Sequence, residues 1–168
     1  VNHTYFSLNG LGDIRNDVLQ IDASSIAVGP DGIPDGTVVP VHGTMYDFRR
    51  AVRIGDMITQ FSEEFHNNRD SYDNVYVLDG EGFRKAASLF SPATGIAMDV
   101  YTELPAIILF IPSGKAHGPE SDGEINPTAV CLEAQLIPNS VNCPEFKSSI
   151  IRKGEKYQAK VVYQFGIN

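Results

Sequence analysis

Tryptophan is absent from this 168-residue chain, and cysteine and basic residues are scarce. Two cysteines are too few for a disulfide framework, and their spacing does not match a zinc-binding motif. Only 13 Lys and Arg stand against 21 Asp and Glu, and the formal charge of −8 disfavours nucleic acid and anionic membrane surfaces as partners. The longest apolar run, residues 106–112, is far shorter than a membrane span. We therefore expect a small neutral ligand.

The composition favours a globular protein rich in strands and turns. Hydrophobic residues make up 42% of the chain, which also contains 15 Gly and 10 Pro. The length suits one domain. Strand-like stretches separated by turn residues recur at intervals of roughly ten residues. This pattern predicts an all-β fold, an antiparallel β-sandwich or part of one, with at most one or two short helices.

Period-two patterns and turn signals predict the individual elements. Strands are predicted at residues 3–8, 17–22, 38–41, 74–78, 84–90, 96–102, 106–111, 130–136 and 157–165. Residues 53–65 carry the one plausible helix, since their apolar residues recur every three or four positions. The turn at residues 79–82 predicts a hairpin between the strands on either side of it. Pro40 marks an edge or irregular strand, and His117 lies in a long loop as a candidate ligand contact.

A carboxylate interrupts an apolar strand near the C-terminal end. In Cys131-Leu132-Glu133-Ala134-Gln135, a period of two puts Cys131, Glu133 and Gln135 on one face and the two apolar residues on the other. Burying a charged Glu is costly unless it has partners. Either this strand lies at a sheet edge with Glu133 in solvent, or this face of the strand lines a pocket.

Two further polar residues occupy comparable positions. His3 shares one face of the first predicted strand with Tyr5 and Ser7, and Asp73 stands at the entry of another strand. A histidine near neutrality can donate a proton and a carboxylate can accept one, so His3 and Glu133 form a candidate acid/base pair. Spacing alone does not distinguish this pair from ordinary exposed polar residues.

Six motifs occur along the chain in a characteristic order. They are Asn2-His3-Thr4-Tyr5-Phe6, Ile33-Pro34-Asp35-Gly36, Tyr46-Asp47-Phe48-Arg49 after Gly43-Thr44, Tyr72-Asp73, Val100-Tyr101-Thr102, and Cys131-Leu132-Glu133-Ala134-Gln135. Together they resemble the aldose 1-epimerase (galactose mutarotase) family from the first residue to the last.

This resemblance implies a mutarotase-type sandwich with a hexose, such as glucose or galactose, bound on the face of a large sheet. It implies that His3 protonates the ring oxygen and that Glu133 removes the proton of the anomeric hydroxyl. Ring opening, rotation and closure then give the other anomer. Asp73, Gln135 and Tyr5 are expected to bind the substrate, and neither a cofactor nor a metal is expected.

The resemblance also implies that residues 1–168 are the C-terminal portion of a single sandwich domain. The chain begins with Val directly before strand-like material, so we expect a cut piece. The family's N-terminal portion supplies an arginine and another histidine to the sugar, and we expect a separate N-terminal chain or segment as partner. Ile108 stands where the family commonly has glutamine, which keeps open a non-catalytic carbohydrate-binding or structural relative as the alternative.

The remaining candidates are given structural roles. His42 and His66 are predicted to be surface residues, and Asp47 with Arg49 is predicted to form a structural ion pair. We expect the cysteines to be reduced and structural, with a disulfide between them left open. The compartment, cytoplasmic or secreted, also stays open.

Overall fold

The computed structural model of the chain describes residues 1–10, 12–67, 71–112 and 127–167. These residues form ten strands and two short α-helices. The elements are β1 (Val18–Ile21), β2 (Ser25–Val28), β3 (Thr37–Pro40), β4 (Val52–Arg53), α1 (Ile54–Gln60), α2 (Ser62–Asn67), β5 (Tyr72–Val77), β6 (Arg84–Phe90), β7 (Ile96–Thr102), β8 (Ala106–Ile111), β9 (Cys131–Gln135) and β10 (Val161–Ile167). No helix in the described residues combines the length and apolarity that a membrane crossing needs.

The strands form two five-stranded sheets in which neighbouring strands are antiparallel. The first sheet has the order β10-β7-β6-β1-β4, and the second has the order β3-β2-β5-β8-β9. The predicted antiparallel all-β sandwich with two short helices is therefore confirmed. β3 is an edge strand of the second sheet in the described part of the chain, as Pro40 indicates.

The main core lies between the two sheets. Inward-facing residues of the first sheet, such as Leu89 and Val100, belong to one buried cluster with Tyr76 and Ile107 of the second sheet. The Tyr76 hydroxyl donates a hydrogen bond of 3.1 Å to the backbone oxygen of Tyr46, so this buried phenol keeps a polar partner. Alternation along the strands then points the other side chains of the second sheet away from the core.

This outer face of the second sheet carries most of the predicted site residues in register. Across β5, β8 and β9, one row is Asp73–Phe110–Cys131, the next is Val75–Ile108–Glu133, and the third is Val77–Ala106–Gln135. A smaller apolar cluster, centred on Ala27, Val75, Ala106 and Ile137, covers part of the same face. In these rows the outer face is therefore mostly apolar, and two of its three carboxylate or amide side chains, Glu133 and Gln135, are on β9.

The predicted hairpin across residues 79–82 is wrong. β5 pairs with β2 and β8 in the second sheet, whereas β6 pairs with β1 and β7 in the first. The turn therefore carries the chain from one layer of the sandwich to the other. Turn residues specify a change of direction locally, but burial of both strands against distant partners decides their sheet.

Other elements also differ from the sequence prediction, which contains no counterpart of β4 and begins the last strand at residue 157 rather than at Val161. Within the described residues, positions 3–8 make one isolated bridge, Phe6 to Val130, and Phe6 and Leu8 pack against the core. The predicted helix at residues 53–65 is two helices, because Phe61 leaves helical geometry with φ −118° and ψ 41°. The pattern did not reveal β2, a four-residue strand with two buried positions.

Candidate active site

Glu133 is a buried carboxylate on an edge strand. β9 is the last strand of its sheet in the described part of the chain, yet only 5% of Glu133 is exposed. The apolar residues on the opposite face of β9, Leu132 and Ala134, point into the main core. β9 is therefore an edge strand, but the expectation that an edge position leaves Glu133 in solvent is wrong, because this face of the strand is covered.

His3 provides the direct partner of this carboxylate. Its Nε2 lies 3.1 Å from Oε1 of Glu133, and the side chain of His3 is 47% exposed whereas that of Glu133 is 6% exposed. The other ring nitrogen, Nδ1, lies 3.5 Å from Sγ of Cys131. The imidazole thus contacts Glu133 through one nitrogen and Cys131 through the other, while part of the ring stays exposed to solvent.

Two backbone hydrogen bonds between Phe6 and Val130 hold the segment that carries His3. The N–H of Phe6 donates to the oxygen of Val130 at 2.8 Å, and the N–H of Val130 donates back at 2.9 Å. The Phe6 ring also packs against Tyr163, with centroids 5.1 Å apart. Because side chains alternate, Phe6 enters the core while His3 and Tyr5 lie over the outer face.

Three aromatic rings form one wall of the site. The ring centroids of His3 and Tyr5 are 5.2 Å apart, and those of His3 and Phe110 are 5.5 Å apart. Tyr5 and Phe110 complete the group at 6.1 Å in an edge-to-face arrangement. These contacts orient the imidazole beside Glu133, and the exposed Tyr5 offers an apolar surface with a hydroxyl at its tip.

Burial shapes the protonation of the two β9 side chains. Burial raises the pKa of Glu133 above its ordinary 4.5, a positive His3 opposes this effect, and the charge of Asp73 adds to it. Burial, followed by the charge of Glu133, raises the pKa of Cys131 to about 12. At neutral pH Cys131 is therefore a protonated thiol with little nucleophilic character.

Asp73 and Gln135 lie on the same face as the pair but do not contact it in the described interactions. Asp73 is exposed and stands opposite Phe110, two strands from β9 and so about 10 Å away across the sheet. Gln135 is half-buried and pairs with Ala106, one row beyond Glu133. Both flank the pair at distances that suit contacts to the far parts of a ligand.

Sequence reasoning missed two members of this cluster. The sequence prediction gives Cys131 a purely structural role and does not include Phe110. A signal for Cys131 was present, since a residue two positions before Glu133 must share its face of the strand. Phe110 joins through the pairing of β8 with β9, which no local pattern shows.

Among the residues predicted to have structural roles, Asp47, Arg49 and His42 take them, and the side chain of His66 lies outside the described part of the chain. Arg49 donates to Asp47 through Nε and Nη2, each at 2.8 Å, so the ion pair is confirmed. His42 is exposed at the surface. Both cysteines are free and buried. His117 lies outside the described residues.

A cleft lies elsewhere on the described part of the molecule. Its volume is about 1040 Å³, and Val77, Arg84, Leu136 and Tyr157 are among the residues that line it. Neither His3 nor Glu133 contributes to it. The guanidinium of Arg84 is occupied there by backbone oxygens, for example Asp79 O at 2.8 Å. This cleft is therefore separate from the site where His3 and Glu133 meet.

Relatives of the chain carry names of sugar epimerases. The galactose mutarotase of Pongo abelii is 31% identical to 99% of this chain, and the aldose 1-epimerase of Escherichia coli K12 is 33% identical to 98% of it. In both cases the match takes up 49% of the relative, so the chain spans about half the length of these curated relatives.

Solved structures give the same fold. A homologue of aldose epimerase from C. elegans matches 99% of the chain with a TM-score of 0.79 at 24% identity, using 50% of its own length. The galactose 1-epimerase of Lactobacillus acidophilus matches 99% of the chain with a TM-score of 0.77 at 27% identity, using 48% of its own length. The sandwich described above is thus of the mutarotase type. Since the family model described as aldose 1-epimerase also matches residues 1–164, the chain belongs to the aldose 1-epimerase family.

Proposed function

We propose that this chain supplies the acid/base pair of an enzyme that interconverts the α and β anomers of a hexose. The observation that carries the proposal is the 3.1 Å contact between Nε2 of His3 and Oε1 of Glu133 on the outer face of the second sheet. The two oxygens that exchange protons in this reaction, O1 and the ring oxygen, are bonded to the same carbon. An acid and a base this close together can reach both oxygens at once.

The proposed reaction uses each group once in each direction. Glu133 takes the proton of the O1 hydroxyl while Nε2–H of His3 protonates the ring oxygen, and the C1–O5 bond breaks. The open aldehyde rotates about C1–C2. Closure on the other face returns one proton to His3 and one to O1, so the pair ends the cycle as it began it. Each positioned proton-transfer group contributes roughly 100- to 10,000-fold to the rate.

The surroundings of the pair support these roles. A protonated imidazole has two N–H donors, and here Glu133 and the sulfur of Cys131 offer an acceptor to each. The raised pKa of Glu133, caused by burial, makes its carboxylate a stronger base than an exposed one. Tyr5, Asp73 and Gln135 are proposed to bind the sugar around the reacting carbon.

The proposal includes a complementary N-terminal portion of the same protein. The matched relatives are about twice as long as this chain, which is why we propose that residues 1–168 act as the C-terminal portion of one sandwich domain. Sugar contacts on the side away from β9 would then come from that portion. Activity is therefore to be measured on the chain alone and on the chain together with the polypeptide that supplies the rest.

Polarimetry with α-D-glucose and α-D-galactose tests the proposal. Glu133→Gln keeps the size of the side chain but cannot accept the proton, so we expect mutarotation to fall by about 1,000-fold or more. Glu81→Gln, in the exposed turn after β5, is the matched control and should keep full activity. Undiminished mutarotation by Glu133→Gln would show that another group is the base.

The second candidate function is carbohydrate binding without catalysis. Ile108 favours it, because this apolar residue is the direct neighbour of Glu133 where the family commonly has an amide. Calorimetric titration with glucose separates the two candidates. Binding without any acceleration of mutarotation, in the assembled protein, would favour the second one.

A further inference from the structure

Three side chains that commonly bind metals converge at the acid/base pair. One donor atom from each of His3, Cys131 and Glu133 can be chosen so that all three lie within 4.8 Å of one another. The sequence predicted no metal site because no histidines or cysteines stand at ligand spacing. His3 and Cys131 are 128 positions apart, and only the fold brings them together.

The donor types and distances suit Zn²⁺. Imidazole nitrogen, cysteine sulfur and carboxylate oxygen are its usual protein ligands, and bonds of about 2.0–2.3 Å place tetrahedral ligand atoms roughly 3.5 Å apart. The contacts of His3 with Cys131 and Glu133, at 3.5 Å and 3.1 Å, are already of this size. These contacts are made by different nitrogens of the His3 ring, so metal binding requires the ring to turn one nitrogen toward the metal. It also requires the three donor atoms, now within 4.8 Å of one another, to move to about 3.5 Å apart.

The surroundings favour an open site rather than a closed structural one. Cys131 is fully buried and Glu133 is 5% exposed, so β9 holds two ligands rigidly on one face. The side chain of His3 is 47% exposed, which leaves an entry path and a fourth position for water. Three protein ligands with a water in the fourth position is the arrangement of catalytic zinc sites, whereas structural zinc sites have four protein ligands.

We propose that His3, Cys131 and Glu133 form a three-ligand Zn²⁺ site that blocks the acid/base pair. Binding forms a Zn–S bond to Cys131 and releases the thiol proton to solvent. The metal occupies the lone pairs of His3 and Glu133 that proton transfer uses. Zn²⁺ and hexose therefore exclude each other, and this last step rests on the proposed function.

Calorimetric titration of the reduced 168-residue chain with ZnCl₂ tests the site itself. We expect one Zn²⁺ per chain, with affinity lowered by about 100-fold or more in Cys131→Ser and in His3→Gln, because loss of even an outer-shell partner costs 10- to 100-fold. Cys143→Ser is the matched control. That cysteine is also free and buried, but its sulfur faces the backbone oxygen of Pro34, and its replacement should leave zinc binding unchanged.

Absorption of the Co²⁺-loaded wild-type chain gives a second readout that needs no variant. A thiolate-to-cobalt charge-transfer band is expected, and it should be absent from Cys131→Ser. No zinc binding by the wild-type chain, equal affinity in Cys131→Ser and wild type, or no thiolate band would each overturn the site. Since His3 is half exposed, His3→Gln is expected to fold even if Cys131→Ser does not.

Competition with hexose tests the inhibitory role separately. If the assembled protein catalyses mutarotation, Zn²⁺ should raise the KM for the sugar without lowering kcat, and Zn²⁺ that leaves KM unchanged overturns the blocking role. If zinc binds through these three residues but no mutarotation occurs, the proposed function fails while the metal site stands.

Discussion

Ile108 on β8 lies directly opposite Glu133 on β9, with both side chains on the outer face of the second sheet. Neighbouring side chains in such a pair are about 5 Å apart, so whatever touches the carboxylate also meets this isoleucine. An apolar residue at this place helps to exclude water from Glu133. Its side chain also offers no hydrogen-bonding group at the centre of the surface proposed to bind the sugar.

Replacing Ile108 by Gln is expected to improve sugar binding. A new hydrogen bond contributes about 0.5–1.5 kcal/mol, which corresponds to a KM lower by roughly 2- to 10-fold in a polarimetric assay. Ile108→Leu keeps the apolar character and is the control. An unchanged KM in both variants would mean that Ile108 does not face the substrate.

Tyr163→Phe is expected to loosen the contact between the two sheets. The Tyr163 hydroxyl, on β10, donates a hydrogen bond of 2.9 Å to the backbone oxygen of Leu132, on β9. Without it that oxygen loses its side-chain donor, and we expect the free energy of unfolding to fall by about 1–1.5 kcal/mol in urea. Tyr157→Phe, at a tyrosine that is 56% exposed, should stay within about 0.5 kcal/mol of wild type. Equal losses in the two variants would contradict the role of this bond.

Asp17→Asn is expected to stabilise the protein at neutral pH. Asp17 is 1% exposed, and neither of its carboxylate oxygens has a hydrogen-bond partner among the described residues. Burial raises its pKa above 3.8, against the opposing effect of the neighbouring Ser91 hydroxyl. A raised carboxyl pKa favours the folded state below the unfolded pKa, and this contribution is lost as pH rises through the folded pKa. Asn is neutral throughout and avoids that loss.

Urea unfolding of this variant at pH 4 and pH 7 provides the measurement. We expect the stability difference between the two pH values to change in Asp17→Asn but not in Asp31→Asn, which alters an exposed turn residue whose φ of 54° Asn tolerates. Parallel pH profiles for wild type and Asp17→Asn would show that Asp17 is not the group responsible.

Asp47→Asn is expected to destabilise the protein with the opposite pH dependence. The hydrogen bonds from Arg49 come first among the causes that lower the pKa of Asp47 from 3.8 to about 2. A lowered pKa contributes stability above the unfolded value, and this contribution disappears as pH falls through about 2. Because the pair is partly solvent-screened, we expect a loss of only about 1 kcal/mol at pH 7. Thermal unfolding at pH 7 and pH 2 measures it, and an equal loss at both would exclude the ion pair as its cause.

Sequence patterns predicted the strands well and their partners poorly. The period of two located β6, β7 and β8 at their observed bounds, because alternation reflects which face is buried. It could not assign β5 and β6 to different sheets, since the turn between them looks like that of a hairpin. Pairing depends on burial against strands distant in sequence, which a local window does not contain.

Sequence motifs predict the site residues that lie within them, but not the residues that strand pairing brings to the site. The motifs predict His3 and Glu133 as a candidate acid/base pair, and the structure places their side chains in contact. The contact of His3 with Cys131 and Phe110 arises from the bridge at Phe6 and the register of β8 with β9. Such proximity is a property of the assembled sandwich and of no single segment.

The bridge between Phe6 and Val130 gives the two members of the acid/base pair unequal thermal resistance. Glu133 belongs to a strand paired along its length with β8, whereas the backbone of the segment carrying His3 makes one bridge, Phe6 to Val130, in the described part of the chain. Segments with few backbone pairings open at lower free energy than the sheets they rest on. Warming should therefore detach His3, the proposed acid, while Glu133, the proposed base, remains in its folded strand. The temperature at which the proposed proton transfer stops is then expected to lie below the temperature at which the sandwich melts.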